Sequence, residues 1–179
     1  FFYCTIKIML IGVNGNEANI INRVGTGQYT YYLLKYWQKL ASPKNSFKIY
    51  LSSAPGSWLP KETAHFTYAV FGPGKFWTQL ALPAKLFFEK DKPDVFFSPA
   101  HYAPRFCPIK SVVAIHDLAY LTHPKEFKKR DQKQLTAWTK YSVNQAQKII
   151  AVSQNTKQDL LRFYQLPEKK IAVVYNGFD

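Results

Sequence analysis

Short, continuous apolar runs recur along this 179-residue chain, and helical stretches separate them. The runs are Ile6 to Val13, Phe47 to Ser52, His65 to Val70, Val95 to Ser98, Ser111 to Ile115, Lys148 to Val152 and Ile171 to Val174. Most do not alternate apolar with polar residues, which is the pattern of strands covered on both faces. Between them, Leu33, Tyr36, Trp37 and Leu40 fall at helical spacing within Thr30 to Leu40 and predict one buried stripe. From about Lys128 to Gln147, the residues Leu135, Trp138, Ser142 and Ala146 share a face on which two small side chains permit close approach. The last unit is the clearest: KIIAVS ends on Ser153, whose hydroxyl caps a helix through Tyr164. In that helix Leu160 and Phe163 point inward, Pro167 stops it, and KKIAVVYNG is the next strand. Repeated along the chain, this alternation predicts an α/β fold with a doubly wound, mainly parallel, Rossmann-like sheet and ligands at the carboxyl ends of its strands.

The length fits a single domain over residues 1–179, and 47% hydrophobic with 17% aromatic residues supplies a packed core and excludes a disordered chain. Cys4 and Cys107 are too few for a disulfide framework and have no partner at zinc-knuckle spacing, so a reducing compartment is expected. The opening FFYCTIKIMLIGV is about 13 residues and carries Lys7, which predicts a buried strand and not a spanning helix or signal peptide. The chain starts on Phe and ends on NGFD, so we expect a fragment, with Met9 as a candidate true start. Residues Ala54 to Glu62 read as a surface loop.

The formal charge is +13, split as +6 over residues 1–100 and +7 over 101–179, with no basic tail. The densest patch, KEFKKRDQK from Lys125 to Lys133, holds five basic and two acidic residues and reads as a solvated helix start. KFWTQLALPAKLFFEK is aromatic and carries Lys75, Lys85 and Lys90. That composition suits a membrane surface, but a helix packed on the sheet, kinked or split by Pro83, is the expectation.

The fold directs attention to residues that follow strands. After the first strand a long loop ends in Gly25-Thr26-Gly27 just before a helix, where glycines and the helix N-terminus suit an anionic ligand. A plain loop-to-helix turn explains the same residues, since GTGQYT lacks the third glycine of a dinucleotide fingerprint and GxxxxGK[ST] is absent. In VVAIHDLAYL a buried strand delivers His116 and Asp117. The histidine can bond a sugar hydroxyl or a phosphate oxygen, and Asp117 can orient the ring or cap the next turn. His116 can equally be satisfied by local backbone groups. His101 follows another strand in a loop stiffened by Pro99 and Pro104. The spacings among His101, Cys107, His116 and His123 match no common zinc pattern, so no metal is expected, and GxSxG is absent.

In this order, GTGQYTYYLL, KPDVFFSPAHYAP, VVAIHDLAYLTHPKEF and KIIAVSQNTKQDLLRFYQLPEKKIAVVYNGFD resemble the N-terminal domain of glycosyltransferase family four, the retaining GT-B enzymes that include many bacterial mannosyl- and glucosyltransferases. The resemblance implies the first half of a GT-B fold, the acceptor side, with a C-terminal nucleotide-sugar domain absent from this chain. Carried over, Gly25 to Gly27 match the glycine loop that approaches the donor diphosphate and sugar, with Thr26 between them, and His116 matches a histidine that contacts the transferred sugar. His101 sits in a loop facing the acceptor, and Ser153 opens the helix beside the cleft. Implied too are a nucleoside diphosphate sugar as co-substrate, no metal, a glycan or lipid-linked acceptor, a cytoplasmic place at the inner membrane face, and contact with anionic lipid that suits the basic charge. Neither the Arg/Lys pair nor the E-x7-E motif of the family's second domain is present, so the piece alone is expected to be inactive. The alternative is a stand-alone α/β module that binds a phosphorylated ligand without catalysis. Nucleic-acid binding lacks any module signature and is not expected.

Overall fold

The computed structural model describes residues 9–72, 74 and 76–177, so Ile6 to Ile8 of the first expected strand, Cys4 and Lys75 lie outside the described residues. Strand β1 (Met9–Asn14) is followed by a 3-10 turn (Asn16–Asn19), helix α1 (Thr26–Leu40), β2 (Asn45–Leu51) and β3 (Phe66–Val70). A π turn (Trp77–Ala81) runs directly into α2 (Leu82–Phe88), which leads to β4 (Val95–Ser98) and β5 (Ser111–Ile115). The short α3 (Ala119–Thr122), α4 (Lys129–Gln145), β6 (Lys148–Ala151), α5 (Gln154–Tyr164) and β7 (Ile171–Val173) complete the order.

The seven strands form one sheet in the order β3-β2-β1-β4-β5-β6-β7, and every pairing is parallel. This is the expected Rossmann-like α/β sheet, consistent with half of a GT-B fold. Its strands are mostly apolar because both faces are covered, with polar residues such as Asn45, Ser111 and Lys148 at their starts. On one face Val13, Phe47, Ile49, Phe97 and Ala114 pack with Leu34 of α1. On the other, Tyr50 and Phe96 pack with Trp77, Leu82 and Leu86, while Val113, Ile115, Ile149 and Ala151 pack with Val143 of α4 and Leu160 of α5. The chain winds outward from β1 to β3 and returns to β4 on the other side of β1, so the order reverses between β1 and β4.

Two helical expectations hold only in part. In α1 Leu33 and Trp37 of the expected stripe pack half-buried on the core, but the fully buried residues are Gly27, Thr30 and Leu34, while Tyr36 is 44% and Leu40 67% exposed. This helix is apolar on two sides, so periodicity alone could not select the side that meets the sheet. Thr30 tolerates burial because its hydroxyl donates to the Thr26 carbonyl at 2.7 Å. The helical run changes from a π turn to α2 directly before Pro83, which sits in the first turn of α2, where proline is tolerated. The 54–62 stretch is a loop but not a loose one: Leu59 is buried, and Trp58 donates its indole N–H to the Ala18 carbonyl at 3.1 Å.

One polar cluster ties α2 to the sheet. Glu89, just past α2, accepts from the Tyr50 hydroxyl at 2.5 Å and pairs with Lys48 at 2.9 Å and Lys85 at 3.4 Å. Burial by itself would raise the Glu89 carboxyl pKa, but the Tyr50 and Lys48 hydrogen bonds and the two lysine charges hold it below the ordinary value of 4.5. A carboxylate favoured in the folded state stabilises the fold above its unfolded pKa and loses that contribution as pH falls through the lower folded value. Glu89→Gln should therefore lower unfolding free energy by about 1 to 3 kcal/mol at pH 7. Urea titrations at several pH values should show the gap to wild type closing below about pH 4.5.

Candidate functional site

The site forms at the carboxyl edge of the sheet. Strand β5 ends at Ile115 and presents the half-buried His116 there. One ring nitrogen, Nε2, lies 2.8 Å from the Pro99 carbonyl oxygen. A carbonyl only accepts, so Nε2 carries the proton, and in the neutral ring Nδ1 is left as an acceptor. Tyr29 of α1 meets the imidazole edge to face with ring centres 4.8 Å apart, and the His101 ring lies 5.6 Å away.

Behind the ring, the Thr156 hydroxyl donates to the His116 carbonyl at 2.8 Å. Thr156 has one hydroxyl proton, so the 2.9 Å contact between Ser153 Oγ and Thr156 Oγ1 takes its proton from Ser153. Ser153 Oγ also accepts from the Thr156 backbone N–H at 3.0 Å and thereby caps α5, as expected. Asp117 caps the following turn, accepting from the Ala119 N–H at 2.9 Å, and the Pro99 carbonyl, not Asp117, orients the histidine ring.

His101 has left-handed backbone (φ 48°), and its N–H donates to the Ala114 carbonyl at 3.0 Å, tying the loop after β4 to β5. Among the described residues its buried Nδ1 has no hydrogen-bond partner. Burial, then the neighbouring His116, drive its pKa from 6.5 down to about 4, against a smaller opposing pull from Asp117. The ring is therefore neutral at physiological pH.

The glycine loop joins this group through Tyr29, whose N–H donates to the Gly25 carbonyl at 3.0 Å. Gly25 has φ 40° and open space where a Cβ would stand, so backbone conformation alone calls for glycine. Gly27 is required by contact, since a Cβ there would lie 2.9 Å from the Glu17 carbonyl oxygen. The Thr26 hydroxyl reaches the Glu17 carboxylate at 3.4 Å. The α1 N-terminus thus already faces an anion of its own chain.

Two cavities open near His116, which lines neither itself. The smaller, about 240 Å³, opens at the β1/β4 reversal and is lined by Asn14, Asn16, Glu17, Gln79, Tyr102 and Trp138 among others. The larger, about 580 Å³, lies between α1 and the segment after β7, with Gly25, Tyr29, Tyr36 and Tyr175 in its wall. Tyr29 belongs to the larger cavity and Pro99 to the smaller, and both touch His116. Glu17, Tyr29 and Thr156 were not singled out by sequence, and Trp138 was read only as part of a packed helix face. Asn14 ends β1 and Gly15 to Glu17 follow it directly, so the rule that selected His116 also points to them.

Among the described residues, no three His, Cys, Asp or Glu side chains group closely enough to hold a metal ion. No helix among them is long and apolar enough to cross a membrane.

A wholly parallel sheet with helices on both faces and a crevice at its strand-order reversal defines a Rossmann-like α/β domain. Residues 25–179 match the family model described as Glycosyltransferase Family 4, and the chain belongs to that family. A search of curated proteins returns no match.

The burial of His101 disfavours its cation in the fold, so its contribution to stability is complete above pH 6.5 and is lost as pH falls toward about 4. In an NMR pH titration the His101 ring protons should shift with a midpoint near 4, and a midpoint near 6.5 would contradict the burial described. Thr156→Val should lower unfolding free energy by about 1 to 2 kcal/mol and move the His116 ring resonances, which a loss of packing remote from His116 would leave in place.

Proposed function

We propose that this chain is the N-terminal, acceptor-side half of a retaining glycosyltransferase that moves a hexose, mannose or glucose, from a nucleoside diphosphate sugar to a hydroxyl of a glycan or lipid-linked acceptor on the cytoplasmic side of a cell envelope. The observation that carries the reading is His116. It stands at the carboxyl end of β5, its ring fixed by the Pro99 carbonyl, which edges the polar cavity, and by Tyr29, which edges the aromatic one.

In this scheme the acceptor enters the polar cavity beside Asn14, Glu17 and Gln79, with His101 behind it. The transferred sugar lies against His116, whose neutral Nδ1 accepts from a sugar hydroxyl. The bond from the anomeric carbon to the diphosphate oxygen breaks, and a bond to the acceptor oxygen forms on the same face. The acceptor proton passes to the leaving phosphate, so no protein nucleophile is needed. Positioning supplies most of the rate, and cations from a second domain stabilise the leaving group without a metal ion. Gly25 and Thr26 approach the diphosphate through backbone N–H groups, with Glu17 turning from Thr26 as the phosphate arrives. Ser153 and Asp117 hold the backbone on either side of His116 and lie at the rim of the site.

The test is to express the complete reading frame, with a second domain of about 150 to 200 residues expected, and to assay it against a panel of nucleoside diphosphate sugars. Turnover with one donor is expected. His116→Ala should lower kcat/KM by at least about 100-fold with the fold intact by circular dichroism, and residues 1–179 alone should show no turnover. A complete protein that neither binds nor turns over any donor, or a His116→Ala enzyme as active as wild type, overturns the reading.

A further inference from the structure

The polar cavity at the β1/β4 reversal has an aromatic corner. Tyr102, in the loop after β4, and Trp138 of α4 both line it, and their rings meet edge to face with centres 5.3 Å apart and planes 78° apart. Hydrogen bonds brace this corner. The buried Ser142 hydroxyl donates to the Trp138 carbonyl at 2.8 Å and accepts from the Ala103 N–H at 2.9 Å, so it couples the residue after Tyr102 to the turn of α4 that carries Trp138. The Tyr141 hydroxyl fastens the same loop again, accepting from the Phe106 N–H at 2.8 Å. Tyr102 and Trp138 are both half-buried, which leaves ring surface to the cavity.

The rest of the lining is polar and carries a negative charge. Asn16 spends its amide oxygen on the Ser52 N–H and hydroxyl, at 2.8 and 3.1 Å, and keeps its NH2 group as a donor. The Glu17 carboxylate takes only a long bond from the Thr26 hydroxyl, at 3.4 Å. Arg23 of the same loop is engaged elsewhere, with its guanidinium on the Ile20 carbonyl at 3.1 Å and 4.4 Å from the centre of the Tyr31 ring. Burial first, then the charges of Tyr120 and Glu17, push the Tyr102 hydroxyl up to about 12, so the field of Glu17 reaches the aromatic corner.

These groups select a ligand by its chemistry. A pyranose has apolar C–H faces that suit the negative face of an aromatic ring, and a rim of hydroxyls that donate to a carboxylate and accept from an amide. At about 240 Å³ the cavity is smaller than the ~300 to 1,000 Å³ that holds a drug-sized ligand, which suits a single sugar ring. A phosphorylated or uronic acid ring would set its own negative charge against Glu17, and among the described residues no lysine or arginine lines the cavity to offset it. We propose that the acceptor presents an uncharged sugar ring to this cavity, seated on Trp138 and Tyr102, and that Glu17 rejects acceptors whose ring there is anionic. This rests on the glycosyltransferase reading and narrows it, since any phosphate of a lipid-linked acceptor then lies outside the cavity.

The test uses the complete protein and saturation-transfer NMR. Methyl glycosides of glucose, mannose, galactose and N-acetylglucosamine are each compared with the same sugar phosphorylated at its primary hydroxyl. At least one neutral glycoside should bind, at least about tenfold more tightly than its phosphate ester. Glu17→Gln, which keeps an acceptor for Thr26, should bring that ratio below about threefold. Trp138→Ala should weaken the neutral glycoside at least about tenfold, and Trp138→Phe should restore most of the loss. If Trp138→Ala lowers the thermal midpoint sharply, the Glu17→Gln ratio decides, because that substitution removes no packing. Phosphate esters that bind as tightly as the neutral glycosides, a ratio unchanged in Glu17→Gln, a folded Trp138→Ala that binds as well as wild type, or no glycoside binding at all overturns the proposal. Donor turnover is measured separately with the panel of nucleoside diphosphate sugars. Transfer to phosphorylated acceptors alone overturns this proposal and leaves the glycosyltransferase reading standing. Glycoside binding with the expected Glu17 ratio but no donor bound or turned over upholds the cavity chemistry and overturns that reading.

Discussion

Every strand of this sheet runs the same way, and that constraint governs the rest of the molecule. Parallel neighbours cannot be joined by hairpins, so each connection must cross a face, and each strand releases its last residue at one edge. The edge therefore collects Asn14 from β1, Ser98 and the His101 loop from β4, His116 from β5 and the Ser153 cap from β6. The reversal of strand order between β1 and β4 then sends α1 to one face and α2 to the other, as their separate clusters with Leu34 and with Trp77, Leu82 and Leu86 record. Helices that diverge from adjacent strands leave a crevice above them, and the polar cavity occupies it.

Within that edge His116 is held from three directions by segments distant in sequence. Pro99 is 17 residues before it and Thr156 is 40 residues after it, while Tyr29 arrives from the first helix. A ring so fixed loses little entropy when it meets a ligand, and preorganisation of this kind is what an electrostatic or positioning role requires. The same packing explains why two imidazoles tolerate close approach. His101 is desolvated enough to remain neutral, so the pair carries at most one positive charge at physiological pH.

The strands were legible because residues covered on both faces are mostly apolar, and few other elements produce runs such as Val112 to Ile115. The position of His116 followed from the same reasoning. What stayed hidden are properties that need two elements at once. The buried side of α1 depends on which of two apolar faces meets the sheet, and the sheet took Thr30 and Leu34 while Tyr36 was left to the neighbouring groove. Thr156 shows no chemistry in its own segment, and its hydroxyl matters only because α5 begins beside the His116 carbonyl. Glu17 was passed over for a different reason: glycines drew attention to the later part of its loop, yet the close packing of Gly27 on Glu17 is what gives that loop its shape.

The total charge of the chain does not carry over to its polar cavity. A net charge of +13 invites the reading that the cleft itself is basic and grips phosphate. The described lining of the polar cavity instead consists of Asn14, Asn16, Glu17, Thr78, Gln79 and aromatic or small residues, with a carboxylate as its charged group. Among the described residues no lysine or arginine lines that cavity; several stand at the start of α4. Neutral amides, hydroxyls and one carboxylate discriminate among hydroxyl groups by hydrogen-bond geometry, whereas a ring of lysines would hold any anion with little regard to shape. Under the proposed function, selection at the strand edge would therefore rest on the geometry of these neutral groups and one carboxylate, and not on a local excess of cations.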